Sequence, residues 1–200
     1  MRTVLRAAAL LAASLALAVC GRAAGAFDPA NPGAGAGYRI ANVQNGLCWD
    51  ARGGAFQNGT AVQQCACHEG DSQLWTFSPS GPENRRYYAI RSAKHPEICV
   101  VRDSAGQLEL TVCDPSQPLQ REARFVPELA MAITNFAQQI ARPDGGDCAA
   151  VPNDSFENAQ QLRVEKCDGS LRQAWLLLPW RGVQNDAEVA AAQASACNPE

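Results

Sequence analysis

Cys67-His68-Glu69-Gly70-Asp71-Ser72-Gln73-Leu74-Trp75-Thr76-Phe77-Ser78-Pro79 has an echo in Cys167-Asp168-Gly169-Ser170-Leu171-Arg172-Gln173-Ala174-Trp175-Leu176-Leu177-Leu178-Pro179. Cysteine, glutamine, tryptophan and proline recur at the same places, one hundred residues on and without a gap. The register continues upstream, where Ile40 matches Ile140 and Cys48 matches Cys148. A looser copy lies halfway between: Ile90, Cys99, Cys113, Phe125 and Pro127 stand where Ile40, Cys48, Cys67, Phe77 and Pro79 stand. A period of about 50 residues met three times is the mark of a repeat architecture.

Within a unit, short apolar alternations are punctuated by turn residues. Tyr38-Arg-Ile-Ala-Asn-Val runs into Asn45-Gly46; Cys48-Trp-Asp-Ala is followed by Gly53-Gly54 and Asn58-Gly59; Thr60-Ala-Val and Leu74-Trp-Thr-Phe come next. Runs this short, bounded by Gly and Asn, read as strands joined by tight turns. Four strands in each of three units predict an all-β chain of about twelve strands. A propeller needs at least four blades, so three-fold repetition predicts a closed barrel with a hairpin cap, the β-trefoil. The expected layout is a trefoil over residues 38–180, in repeats 38–82, 83–128 and 129–180.

At Cys48-Trp49-Asp50, Asn58-Gly59-Thr60-Ala61-Val62-Gln63, Cys67 and Gln73-Leu74-Trp75 the chain resembles a ricin B-type lectin, whose repeats end in a Gln-x-Trp motif. Gln173-Ala174-Trp175 is a second instance, whereas the middle unit has Arg121-Glu122-Ala123 in that place. Gln73, Trp75, Gln173 and Trp175 are expected to mark the fold, with the tryptophans in the barrel core.

The chain has nine cysteines. Each repeat carries a pair, Cys48 with Cys67, Cys99 with Cys113 and Cys148 with Cys167, and these are expected to be disulfides. A staple closing a loop of about 15 residues contributes roughly 3 kcal/mol. Cys65 and Cys197 remain; they either bond to each other, tying the tail to the barrel, or stay as free thiols. Cys65-Ala66-Cys67 has no second such pair and no histidine cluster beside it, since His68 and His95 are the only histidines. No metal site and no cofactor is therefore expected.

A glycan site needs a carboxylate and an amide for paired hydroxyls and an aromatic face for the ring. The resemblance implies where these lie. In the first repeat the acceptor is Asp50, with Gln63 and Gln73 as amide partners, Ser72 in the place of an expected Asn, and Cys65 in the place of the aromatic platform. The competing reading of Asp50 is a turn-capping carboxylate beside Cys48. In the middle repeat acceptor and platform places hold Val101 and Thr111, and in the last Ala150 and Glu165, so no conventional sugar binding is expected there. Phe56, Trp49 and Trp180 are candidate substitute stacking surfaces.

The ends of the chain read differently. Arg2 and Arg6 precede the apolar stretch Ala7 to Cys20, and Ala24-Gly25-Ala26 is a small-residue cleavage site, so residues 1–26 are expected to be a secretory signal peptide. Leu17-Ala18-Val19-Cys20 also resembles a bacterial lipobox, which would place a lipid anchor at Cys20. Residues 27–37 form a Pro/Gly/Ala-rich leader and residues 181–200 a tail. No apolar run reaches the 18 residues of a membrane span, and a net charge of −3 supplies no basic field for nucleic acid.

Neither a nucleophile with its base nor a paired carboxylate set is visible, so a binding protein is expected rather than an enzyme. In its single exported trefoil, its eroded Gln-x-Trp repeats and the run Gln173-Ala-Trp-Leu-Leu-Leu-Pro179, the chain also resembles the A and C subunits of cytolethal distending toxins. That resemblance implies a module that binds a glycosylated host surface and holds a separate exported catalytic subunit. The alternatives are a free carbohydrate-binding lectin using the first repeat, or an exported trefoil inhibitor.

Overall fold

The computed structural model describes residues 37–79, 88–114, 126–129, 138–141, 146–180 and 197. The expected signal peptide (residues 1–26) with the lipobox-like stretch at Cys20, residues 27–36 of the leader, the Arg121-Glu122-Ala123 stretch and the tail apart from Cys197 lie outside them. The described chain is all β. The first repeat supplies β1 (Tyr38–Asn42), β2 (Cys48–Ala51), β3 (Val62–Cys65) and β4 (Trp75–Pro79). The second supplies β5 (Tyr88–Ser92), β6 (Ile98–Arg102), β7 (Leu108–Val112) and β8 (Val126–Leu129). The third supplies β9 (Gln138–Ala141), β10 (Asp147–Ala150), β11 (Gln160–Gln161), β12 (Arg163–Lys166) and β13 (Ala174–Pro179). The expected twelve become thirteen because one strand of the third repeat is interrupted at Leu162.

The first and last strands of the repeats pair in the order β8-β9-β13-β1-β4-β5, which makes the barrel wall. The middle strands form one hairpin per repeat, β2 with β3, β6 with β7 and β10 with β12. These three hairpins meet in a cap: Ala61 bridges Glu109, Gln107 bridges Arg163, and Gln160 pairs with Gln64. The backbone bonds Leu162 N–H to Val62 O (2.9 Å), Leu110 N–H to Thr60 O (2.8 Å) and Leu108 N–H to Leu162 O (2.8 Å) close the triangle.

Alternation decides what lies inside. In β5, Tyr88, Ile90 and Ser92 are buried, and in β7, Leu108 and Leu110 are buried while Glu109 turns outward. The barrel centre holds Trp49 edge-on to Trp75 at 6.4 Å and to Trp175 at 5.4 Å. The Trp75 indole N–H donates to the carbonyl of Trp49 (3.2 Å), and the Trp175 indole N–H donates to that of Ala149 (3.0 Å). Two copies of one bond, a hundred residues apart, show the repeat at atomic level. Trp49 is completely buried, so it offers no stacking surface to a sugar, contrary to the expectation above.

Gln73 and Gln173 are likewise duplicates. Gln73 accepts from His68 N–H (2.9 Å) and donates to Ala66 O (3.0 Å); Gln173 accepts from Asp168 N–H (2.9 Å) and donates to Lys166 O (2.7 Å). Each amide fastens the loop that follows the hairpin. The structure joins Cys48 to Cys67, Cys99 to Cys113 and Cys148 to Cys167, with Cα atoms 5.1, 5.2 and 5.0 Å apart. It also joins Cys65 to Cys197, across a sequence separation of 132 residues.

Candidate functional site

β2 and β3 pair with Asp50 opposite Gln63, so the two side chains meet across the hairpin. Gln63 Nε2 donates to Asp50 Oδ1 at 3.2 Å, and on Oδ2 the carboxylate accepts from Ser72 Oγ at 2.9 Å and from His68 Nε2 at 3.2 Å. The carboxylate is 1% exposed and sits in the strand, bonded to side chains rather than to a turn backbone. Burying a carboxyl group is tolerable only when hydrogen-bond partners surround it, and here three side chains do.

His68 is the member that sequence reading missed. Its Nδ1 accepts from Gly70 N–H at 3.0 Å, which leaves the ring proton on Nε2, aimed at Asp50. A Cβ at position 70 would stand 2.8 Å from that ring, so glycine there lets the loop close on the histidine. The available signal was a histidine directly after the second cysteine of the repeat that keeps Asp50.

Gln63 is fully buried. Its Oε1 accepts from Arg52 Nε at 2.8 Å, and its second amide hydrogen goes to the carbonyl of Cys197 at 3.1 Å. The structure thus gathers Asp50, Gln63 and Ser72 as the resemblance implied, adds His68 and Arg52, and turns Gln73 onto the main chain instead. Asp50, Cys65 and His68 place their ligand-type atoms within 4.8 Å of one another. The donor set does not suit a cation, because the Cys65 sulfur is bonded to Cys197 and the His68 Nε2 lone pair carries a proton.

The other repeats fill the same place differently. Val101 faces Glu109 across the second hairpin and Ala150 faces Arg163 across the third, so neither has the acceptor. In the third repeat Arg172 stands where Ser72 does and bonds the carboxylates of Glu165 and Asp168, the latter at 2.6 Å, with Asp154 3.9 Å away. Ser170 and then Arg172 hold the Asp168 carboxyl down at about 2, and Glu165 and Asp168 raise the Arg172 guanidinium further. Of the other stacking candidates, Phe56 is half-buried and stacked on His95 at 4.4 Å, and Trp180 is half-buried at the barrel end.

Among the described residues no helix is long and apolar enough to cross a membrane. Residues 26–108 match the family model described as a ricin-type beta-trefoil lectin domain-like family. No curated protein sequence matches the chain. Among solved structures, the Macrolepiota procera ricin B-like lectin in complex with lactose superposes with TM-score 0.58 at 19% identity, covering 73% of this chain and 96% of that one. The earthworm R-type lectin C-half in complex with GalNAc gives TM-score 0.57 at 17% identity, covering 72% and 99%. A mosquitocidal holotoxin gives TM-score 0.61 at 14% identity over 72% of this chain, which spans only 17% of that one. The fold is a β-trefoil, and by its repeats, its Gln-x-Trp clamps and the family model matched over residues 26–108 the chain is similar to ricin-type β-trefoil lectin-like domains.

Proposed function

We propose that the protein is an exported, non-enzymatic lectin-like module that recognises a glycosylated surface through its first repeat. The observation that carries this reading is the Asp50–Gln63–Ser72 cluster. A carboxylate, an amide and a hydroxyl converge there, a set that bonds paired sugar hydroxyls, and the other two repeats have lost the acceptor. Relatives of the same fold at 17–19% identity were solved with GalNAc and lactose. The four cystine links suit an oxidising compartment, in keeping with the expected signal peptide.

A glycan array tests the reading, probed with the native protein, with the Cys65→Ser/Cys197→Ser form, and with each carrying Asp50→Asn. Glycan binding that is lost with Asp50→Asn, in either form, upholds it; absence of binding in both forms overturns it.

Delivery is the finer part of the proposal. In a toxin-like assembly the trefoil also holds a second exported protein, and a mosquitocidal holotoxin is among the proteins that share the fold. Co-purification of a tight partner from the native secreting cell supports this role. A lone monomer with robust glycan binding favours the free lectin.

A further inference from the structure

We propose that Cys197 is a built-in occupant of the first-repeat pocket, so that this one residue, bonded to Cys65, latches the hydroxyl-binding cluster shut. This rests on the glycan reading above and concerns the control of that same site.

The chemistry of the contact is that of a ligand. Gln63 has two amide hydrogens; one holds Asp50 and the other is taken by the Cys197 carbonyl oxygen at 3.1 Å. That oxygen accepts the bond a sugar oxygen would accept. Asp50 Oδ1 and Oδ2 and Gln63 Oε1 are engaged by protein donors as well, so every polar atom of the pair already has a partner within the protein. Asp50, Gln63, Cys65 and Cys197 are all at or below 1% exposure, which leaves no face for a sugar ring. The covalent half of the latch, Cys65, stands at the place where the family resemblance puts the aromatic platform.

The position of this link also sets it apart from the other three. Those close loops within a repeat, over separations of 19, 14 and 19 residues. Cys65–Cys197 spans 132 residues and joins the first repeat to a point beyond the third. It occurs at the repeat that keeps the carboxylate: Cys65 faces Cys48 on the hairpin that carries Asp50, whereas its counterpart Glu165 faces Cys148 on a hairpin that has Ala150 in the acceptor's place.

The test uses the full chain, native and as Cys65→Ser/Cys197→Ser, titrated with lactose and with N-acetylgalactosamine while the amide signals of Gln63, His68 and Ser72 are followed by NMR. The near-ultraviolet signal of the Trp49–Trp75–Trp175 cluster verifies folding, and the Cys65→Ala/Cys197→Ala pair replaces the serine pair if that form does not fold. The expected result is binding at least ~10-fold tighter in the unlatched form, with the shifts centred on Gln63 and Ser72. Equal affinity in both forms with those same shifts overturns the latch and leaves the glycan reading standing. No binding in either form overturns both.

Discussion

Ala159 carries the clearest cost of the repeat at the scale of one residue. Its φ is +61°, and the residue one hundred places earlier is Gly59 at +79°. The turn geometry has been kept while the residue that suits it has been lost. Asn153 and Asp154, also at positive φ, are of the type that tolerates the left-handed region; alanine is not. The strain of about 1–2 kcal/mol for an L-residue there outweighs the extra unfolded-state freedom of glycine, about 0.4–1 kcal/mol. Ala159→Gly is therefore expected to stabilise by roughly 0.5 kcal/mol, whereas Ala149→Gly, in a buried strand, is expected to destabilise by about 1 kcal/mol or more. Denaturant midpoints of the two variants check the pair. The same sign for both would show that position 159 is not strained.

The third hairpin shows at the scale of an element how a lost site is refilled. With Ala150 in the acceptor's place, the corner is held by charge: Arg172 bonds Glu165 and Asp168, and Arg163 lies 3.4 Å from Glu165. The Asp168 carboxyl, held at about 2 by Ser170 and Arg172, lies below its ordinary 3.8. A depressed carboxyl stabilises the fold above its unfolded value, and that contribution fades as pH falls from about 3.8 through about 2. Arg172→Ala is expected to raise the Asp168 midpoint in a carbon-detected NMR titration and to shrink the loss of stability across that window. An unmoved midpoint would leave Ser170 as the sole cause.

Much of this element was legible, because a hundred-residue register carries Gln173, Trp175 and Cys167 directly onto known partners. The sealing of Asp50 was not. His68 reaches it through a loop closed by Gly70, and Cys197 reaches Gln63 from beyond the last repeat. A contact made once, over a long separation, leaves no periodicity to read. Trp49 was misread for a related reason: it follows the first cysteine at a place that alternation leaves ambiguous in a strand whose four residues are all buried.

The cap makes the three repeats one cooperative unit at the scale of the whole molecule. A repeat could unfold alone if its hairpin were bonded only to itself, but here each hairpin is hydrogen-bonded to the other two. Leu108 sits at the join: its N–H donates to Leu162 O of the third repeat, its carbonyl accepts from Gln161 Nε2 at 3.1 Å, and its side chain is fully buried in the common core. Leu108→Ala deletes core volume in the second repeat and is expected to cost about 2–5 kcal/mol. The decisive readout lies elsewhere. Trp49, Trp75 and Trp175 report on the first and third repeats, where nothing has been changed. If the trefoil unfolds as one body, their fluorescence transition shifts by the same free energy as the exchange protection of amides in β6 and β7. If β6 and β7 lose protection while the tryptophan transition holds its midpoint, the second repeat opens on its own, and the cap is a contact between separate units.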